Sequence, residues 1–81
     1  MRILYFAWVR ERVGTAEEDH ASTAATVGAL LAELRDVSPG HANALADRAA
    51  IRVAVNQDFA TDETPVGPND EVAIFPPVTG G

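Results

Sequence analysis

The sequence predicts an α+β domain in which one main helix packs on one face of a β-sheet. Over residues 27–34, apolar residues recur at the spacing of one buried helix face. Segments on both sides of this helix alternate in side-chain character with the period of two that a strand requires. The chain has 81 residues, which is enough for one hydrophobic core and leaves no room for a second.

The first predicted strand covers residues 2–9, where β-branched and aromatic side chains are frequent. Alternation places Ile3, Tyr5, Ala7 and Val9 on one face and Arg2, Leu4, Phe6 and Trp8 on the other. The charge of Arg2 indicates that the second face is the more exposed one. After Gly14, residues 16–22 are predicted to return as the second strand of a hairpin, with outward-pointing side chains at Glu18, His20 and Ser22.

The main helix is predicted to begin at Thr26, a residue type that caps helix N-termini well. Its buried stripe consists of Val27, Leu30, Leu31 and Leu34. The tripeptide Ser38-Pro39-Gly40 is predicted to stop it. The alanine-rich residues 41–48 predict a short additional helical turn.

The second half of the chain is predicted to return to the sheet. Residues 51–56 alternate clearly, and after a turn residues 59–61 form a brief edge strand. The turn cluster at 67–70 precedes a last strand at 71–75, which Pro76 and Pro77 end because proline cannot continue a strand ladder. We therefore expect a domain over residues 1–77 and a flexible Gly-Gly tail over residues 78–81.

The side of the sheet that the helix leaves uncovered is predicted to be apolar. If the first and last strands present the faces inferred above, this side carries Leu4, Phe6, Ala73 and Phe75. On so small a domain, an apolar patch indicates a surface that docks another protein. The alternative is that loops or the short helix cover it.

Composition excludes several classes of function. Twelve acidic residues against six arginines, with no lysine, give a net charge of −6, which disfavours nucleic acid and favours a basic protein partner. The absence of cysteine excludes a disulfide framework, a thiolate metal site and a cysteine nucleophile. Neither an apolar run of bilayer length nor a signal-peptide cleavage site is present, so we expect no membrane partner and a cytoplasmic location.

Catalytic and metal-binding patterns are not recognisable in the sequence. His20 and His41 lack the spacing of metal ligands and are predicted to be solvated surface residues, so no metal is expected. The acidic run Glu17-Glu18-Asp19 is predicted to be a solvated hairpin edge.

The remaining chemical candidate is the chain end, Gly80-Gly81. Two residues without side chains can thread a narrow channel, and the α-carboxylate of Gly81 can be activated with ATP as an acyl-adenylate. Pro76 and Pro77 would direct the tail away from the sheet. The alternative is a frayed terminus without function.

Four blocks of this sequence resemble the small-subunit family of molybdopterin synthase: residues 4–14, 26–31, 53–57 and 70–81. The resemblance runs through the chain in order, and the opening block and the ending Phe-Pro-Pro-Val-Thr-Gly-Gly are its specific parts. It implies a ubiquitin-like β-grasp fold with a mixed sheet, in agreement with the α+β class.

The resemblance also implies a sulfur-carrying function. A ubiquitin-activating-type enzyme would adenylate Gly81 with ATP, and a sulfur donor system would convert the adenylate to a thiocarboxylate. The tail, formed by Pro76, Pro77, Val78, Thr79 and Gly80, would then enter the synthase large subunit, where sulfur passes to cyclic pyranopterin monophosphate. The docking patch would comprise Phe6, Phe59 and Phe75. The chain alone would bind no cofactor and would not be an enzyme; activity would belong to an assembly of two small and two large subunits.

Three other functions stay open at this point. The chain could carry sulfur for another pathway of the thiamine type. It could be a protein modifier whose Gly81 forms isopeptide bonds with lysines of target proteins. It could also be a plain interaction domain, in which case deletion of Gly81 would have no consequence.

Overall fold

A single mixed sheet organises the part of the chain that the computed structural model describes, residues 1–77. Its strands are β1 (Arg2–Tyr5), β2 (Glu17–Asp19), β3 (Arg52–Val55), β4 (Asp58–Ala60) and β5 (Glu71–Phe75). Their spatial order is β2-β1-β5-β3-β4, with β1 and β5 parallel and the other neighbouring pairs antiparallel. The predicted α+β class with a mixed sheet is confirmed.

The helices are α1 (Ala7–Val13), α2 (Val27–Arg35) and α3 (Pro39–Ala44), and a 3₁₀ turn follows at Arg48–Ala50. The main helix α2 begins as predicted, because the Thr26 hydroxyl accepts a hydrogen bond of 3.2 Å from the Ala29 N–H. Its predicted stripe is at most 1% exposed. The stripe packs on side chains of the three central strands, namely Ile3, Tyr5, Val53, Val55, Val72 and Ile74.

The prediction of one strand over residues 2–9 is wrong beyond Tyr5. Helix α1 begins at Ala7, whose φ of +52° turns the chain out of the sheet, and the N–H groups of Val9 and Arg10 donate to the carbonyl of Phe6. Val9 is fully buried in this helix, as it would have been in the predicted strand. A short apolar run is compatible with both periods, and here the helix prevails.

The predicted outward face of the hairpin is also wrong. Strand β2 is only three residues long, and Glu18 lies opposite Ile3, so its side chain points to the helix side of the sheet. His20 and Ser22 follow β2 and lie against α2, where both contact the carboxylate of Glu33, at 2.8 and 3.0 Å. These polar residues are therefore paired rather than solvated.

The tripeptide predicted to stop the main helix instead begins a new one. Helix α2 ends at Arg35, and Ser38 caps α3 by accepting from the His41 N–H at 3.2 Å, with Pro39 in the first helical position. Gly40 lies so close to α1 that a Cβ placed there would be 2.5 Å from the carbonyl oxygen of Arg12. Glycine at this position therefore permits the close packing of α1 and α3.

Candidate functional site

The side of the sheet away from α2 carries an apolar surface. Leu4 lies opposite Ala73, and Ala73 lies opposite Ala54, so all three share this side. We define the open-face patch by the apolar residues that the strands place on this side: Leu4, Phe6, Ala54, Phe59, Ala73 and Phe75. Phe6 lies at the junction of β1 and α1, and the other members lie in the strands.

Two aromatic rings dominate one end of the open-face patch. Phe59 lies opposite Ala54 in the β3–β4 hairpin and is 82% exposed. Its ring centroid is 6.0 Å from that of Phe75, with the planes tilted by 51°. An aromatic side chain this exposed is unfavourable in water, so its position suits a surface that becomes covered by another protein.

The β3–β4 hairpin holds Phe59 in a fixed place. Its turn residues Asn56 and Gln57 have φ values of +50° and +73°, as in a type I′ turn. The Asn56 side chain also donates to the Asp70 carboxylate (2.9 Å) and accepts from the Glu71 N–H (3.0 Å), which links the turn to the start of β5. The hydrogen bond from Asn56 lowers the pKa of Asp70, because it stabilises the charged carboxylate.

Phe6 lies at the other end of the open-face patch. Its backbone stays extended (φ −129°), and its N–H donates to the carbonyl of Ile74 at 3.1 Å, which continues the pairing of β1 with β5 by one residue. Alternation therefore keeps Phe6 on the side of Leu4, and it is 45% exposed. Alternation along the strands thus predicted correctly that Phe6 and Phe75 share one side of the sheet, although β1 ends earlier than expected.

The chain leaves the sheet beside the open-face patch. Phe75 is the last residue of β5, and the half-buried Pro76 and Pro77 follow outside the strand, as predicted. The other predicted tail residues, Val78, Thr79, Gly80 and Gly81, lie outside the described residues. An occupant of the open-face patch would contact the chain immediately before the tail.

The β2 end of the same side is polar. The guanidinium of Arg2 pairs with the Glu17 carboxylate, and this hydrogen bond raises the pKa of Arg2. Arg2 also lines a surface groove of about 430 Å³ together with Glu17, Glu18 and Asp19. The sheet side is thus acidic and ion-paired around β2, and apolar where β3, β4 and β5 meet.

A buried polar cluster on the helix side was missed by sequence reasoning. His41, predicted to be solvated, is only 6% exposed. Its Nε2 lies 2.7 Å from Glu18 Oε2, which also accepts from the Tyr5 hydroxyl at 2.8 Å, and its Nδ1 lies 2.7 Å from Ser38 Oγ. The Tyr5 ring meets the imidazole edge-on, with centroids 5.8 Å apart.

This cluster shifts the acidity of its members. Burial, reinforced by Glu18, raises the pKa of the Tyr5 phenol. Partial burial alone would raise the pKa of Glu18, but the hydrogen bonds from His41 and Tyr5 outweigh it, so this pKa lies below its ordinary value. The set contains a serine, a histidine and a carboxylate, yet Ser38 Oγ serves as the cap of α3 and His41 is buried. Its role is to hold α3 against β1 and β2.

Residues 1–77 contain neither a metal-binding group of histidine and carboxylate side chains nor a helix long and apolar enough to cross a membrane.

The ThiS family model matches residues 3–81 of this chain. The chain belongs to the ThiS family. Two curated relatives are named molybdopterin synthase sulfur carrier subunit. The one from Escherichia coli K12 is 43% identical over 81 residues, covering all of this chain and 99% of the relative. The one from Haemophilus influenzae is 39% identical over 85 residues, with the same coverage.

Solved structures agree with this ThiS family assignment. The crystal structure of SAMP1 from Haloferax volcanii is 31% identical with a TM-score of 0.74, and the match covers 100% of this chain and 98% of that one. A putative molybdopterin converting factor, subunit 1, from Pyrococcus furiosus is 26% identical with a TM-score of 0.76, and the match covers 95% of each chain. The expected β-grasp fold is confirmed by these matches.

Proposed function

We propose that this chain is the sulfur-carrier subunit of a molybdopterin synthase and acts in the biosynthesis of the molybdenum cofactor. The observation that carries the proposal is the full-length identity of 43% to a relative with that name. Its chemical group is the α-carboxylate of Gly81, four residues beyond Pro77. Fully extended, four residues span about 13–14 Å, enough to enter a partner's active site while the domain stays outside.

The proposed chemistry needs no side chain of this chain. The Gly81 carboxylate attacks the α-phosphorus of ATP on an activating enzyme of the ubiquitin-activating type, and pyrophosphate leaves. Sulfide-level sulfur from the donor then attacks the acyl carbon and displaces AMP, which gives the thiocarboxylate. In the synthase large subunit, the thiocarboxylate sulfur bonds to cyclic pyranopterin monophosphate, and hydrolysis of the resulting thioester by water leaves the sulfur on the pterin and regenerates the carboxylate. ATP is thus bound by the activating enzyme, catalysis belongs to the complexes, and this chain supplies the carried group.

The open-face patch is proposed to dock both proteins in turn, with Phe6, Phe59 and Phe75 as its aromatic contacts. Its exposure and its position beside the exit of the chain from β5 support this role. Because one patch would serve both partners, the carrier would leave the activating enzyme before it meets the large subunit. The division into a domain over 1–77 and a tail over 78–81, and the cytoplasmic location, stay predictions.

A second candidate function is protein modification. It is favoured by the 30% identity and TM-score of 0.71 to a structure named small archaeal modifier protein 1, from Haloferax volcanii. In that function, the activated Gly81 carboxyl would be attacked by a lysine amine of a target protein. The chain itself contains no lysine, so it could not be extended through its own side chains.

The intact mass of the chain tests the first function. The purified chain is incubated with its activating enzyme, ATP, magnesium and a sulfur donor, and a variant lacking Gly81 serves as control. We expect one C-terminal oxygen to be replaced by sulfur at Gly81, and molybdopterin to form when the large subunit and cyclic pyranopterin monophosphate are added. An unchanged mass in the presence of a competent activating enzyme would contradict the carrier function. Lysine-linked conjugates in cells, lost with Gly81, would support modification instead.

A further inference from the structure

Arg52 borders the open-face patch. It is the first residue of β3, it is exposed, and it lies directly opposite Phe75. Alternation along β3 buries Val53 in the core and places Arg52 and Ala54 on the open side. The backbone of this arginine therefore lies next to Phe75, the residue from which the chain leaves the sheet.

The guanidinium of Arg52 is held in place from one side. Its Nη1 donates to the carbonyl of Ala49 at 3.0 Å and to the carbonyl of Ile51 at 2.8 Å. The 3₁₀ turn Arg48–Ala50 supplies the first of these carbonyls. Nε and Nη2 have no hydrogen-bond partner among residues 1–77. Because the long side chain is already ordered, a ligand of its remaining N–H groups would bind at a reduced entropic cost.

Arg52 forms no ion pair with the rest of the described chain. Arg2 pairs with Glu17 on the same side of the sheet, and Arg48 pairs with Asp62 at 2.7 Å. Asp62 and Glu63 also line a groove of about 400 Å³ with Arg52, yet Arg52 forms no ion pair within 4 Å with any carboxylate of residues 1–77. On a chain of net charge −6, an ordered guanidinium that forms no ion pair within residues 1–77 and borders an apolar patch can be recognised by an acidic group of a partner protein.

We propose that Arg52 binds a carboxylate of the synthase large subunit at the edge of the docked open-face patch. The inference rests on the proposed function and adds a specificity-determining contact to it. Stable interfaces combine an apolar centre with polar, hydrogen-bonded edges, and arginine fits a carboxylate with two parallel hydrogen bonds. Phe59 and Phe75 supply the apolar centre, and Arg52 fixes the orientation in which the tail meets the large subunit.

The test is the dissociation constant of the full-length chain with the large subunit, for the wild type, Arg52→Glu and Arg52→Lys. Arg35→Glu is the control with the same change in charge, since Arg35 lies on α2 and donates to the carbonyl of Leu45. We expect Kd to rise about 30-fold or more for Arg52→Glu and several-fold for Arg52→Lys, because truncating or reversing one partner of a hydrogen-bonded charge pair costs this much. Arg35→Glu should stay within about twofold, since distant surface charges contribute little.

Two further readouts separate a binding contact from other effects. With the thiocarboxylated chain and a subsaturating large subunit, the rate of sulfur transfer by Arg52→Glu should fall in proportion to its loss of affinity, while that of Arg35→Glu should follow the wild type. An Asp→Arg or Glu→Arg substitution at the facing site of the large subunit should restore the affinity of Arg52→Glu. Equal Kd values for Arg52→Glu, Arg35→Glu and the wild type would overturn the inference while leaving the proposed function intact. Failure of the wild type itself to bind the large subunit would overturn both.

Discussion

Replacing Phe59 with alanine removes the most exposed aromatic side chain of the open-face patch. Fully burying a phenylalanine side chain is worth about 1.5–3 kcal/mol. Since 82% of Phe59 is exposed in the free chain, most of this free energy becomes available only when a partner covers it. The expected loss of binding free energy is about 1.2–2.5 kcal/mol, which raises Kd for the large subunit about 8- to 70-fold.

The same substitution should affect folding much less. Phe59 loses a tilted ring contact with Phe75 and a small buried area, together worth at most about 1 kcal/mol, or roughly 4–8 °C in Tm for a domain of this size. Val37→Ala is the matched control. Val37 is another exposed apolar residue, 45% exposed, but it follows α2 and lies outside the open-face patch.

The assay is isothermal titration calorimetry with the large subunit, and thermal unfolding of each free variant followed by circular dichroism. We expect Phe59→Ala to bind the large subunit more weakly than the wild type, and Val37→Ala to bind it like the wild type. A contribution of Phe59 to binding would be refuted if the two variants bound the large subunit equally well. A large fall in the Tm of Phe59→Ala, with affinity unchanged for the folded fraction, would show that Phe59 serves the fold and not a partner.

Two further predictions concern stability. Gly40→Ala should lower the free energy of unfolding by about 1–2 kcal/mol, because its Cβ would lie 2.5 Å from the Arg12 carbonyl and separate α1 from α3. Gly67→Ala should leave the free energy of unfolding unchanged or raise it by up to about 1 kcal/mol, because its Cβ would make only an ordinary contact of 3.8 Å with the Asp70 carboxylate. Urea unfolding measures the free energies of both variants, and equal values would contradict the packing of α1 against α3 as the cause. The ionised form of Glu18 stabilises the fold at pH values above its ordinary pKa of 4.5. This stabilisation is lost as the pH falls through the lowered pKa that Glu18 has in the folded state. Glu18→Gln should therefore be less stable than the wild type by about 1 kcal/mol at pH 7, and thermal melts should show this difference shrinking as the pH falls below 4.5; a constant difference would exclude the charge of Glu18 as its cause.

Local signals determined the main helix correctly. The Thr26 cap and the stripe from Val27 to Leu34 depend on residues within a few positions of one another, so the sequence predicts them without knowledge of the rest of the chain. Alternation likewise predicted which faces of the first and last strands are buried, and therefore that Phe6 and Phe75 share the open side. Phe59 was assigned to the patch from the family resemblance alone.

Residues 6–9 and His41 show where local signals fail. The run after Tyr5 is apolar enough for either a strand or a helix, and the choice depends on α1 packing against α3 at Gly40, far along the chain. His41 is buried because Tyr5 of β1 and Glu18 of β2 supply an aromatic ring and a carboxylate. Neither contact leaves a periodic pattern in the sequence around position 41.

The sequence by itself determined the α+β class, the main helix and the faces of the central strands. These follow from periodicity, capping and composition, which act between neighbours in the chain. Only the tertiary structure decided the short helix after β1, the buried cluster around His41, and the hydrogen bonds that hold the guanidinium of Arg52, whose backbone lies opposite Phe75. Each of these depends on groups from separate elements that meet only when the sheet forms, because burial and hydrogen-bond partners are properties of the folded chain.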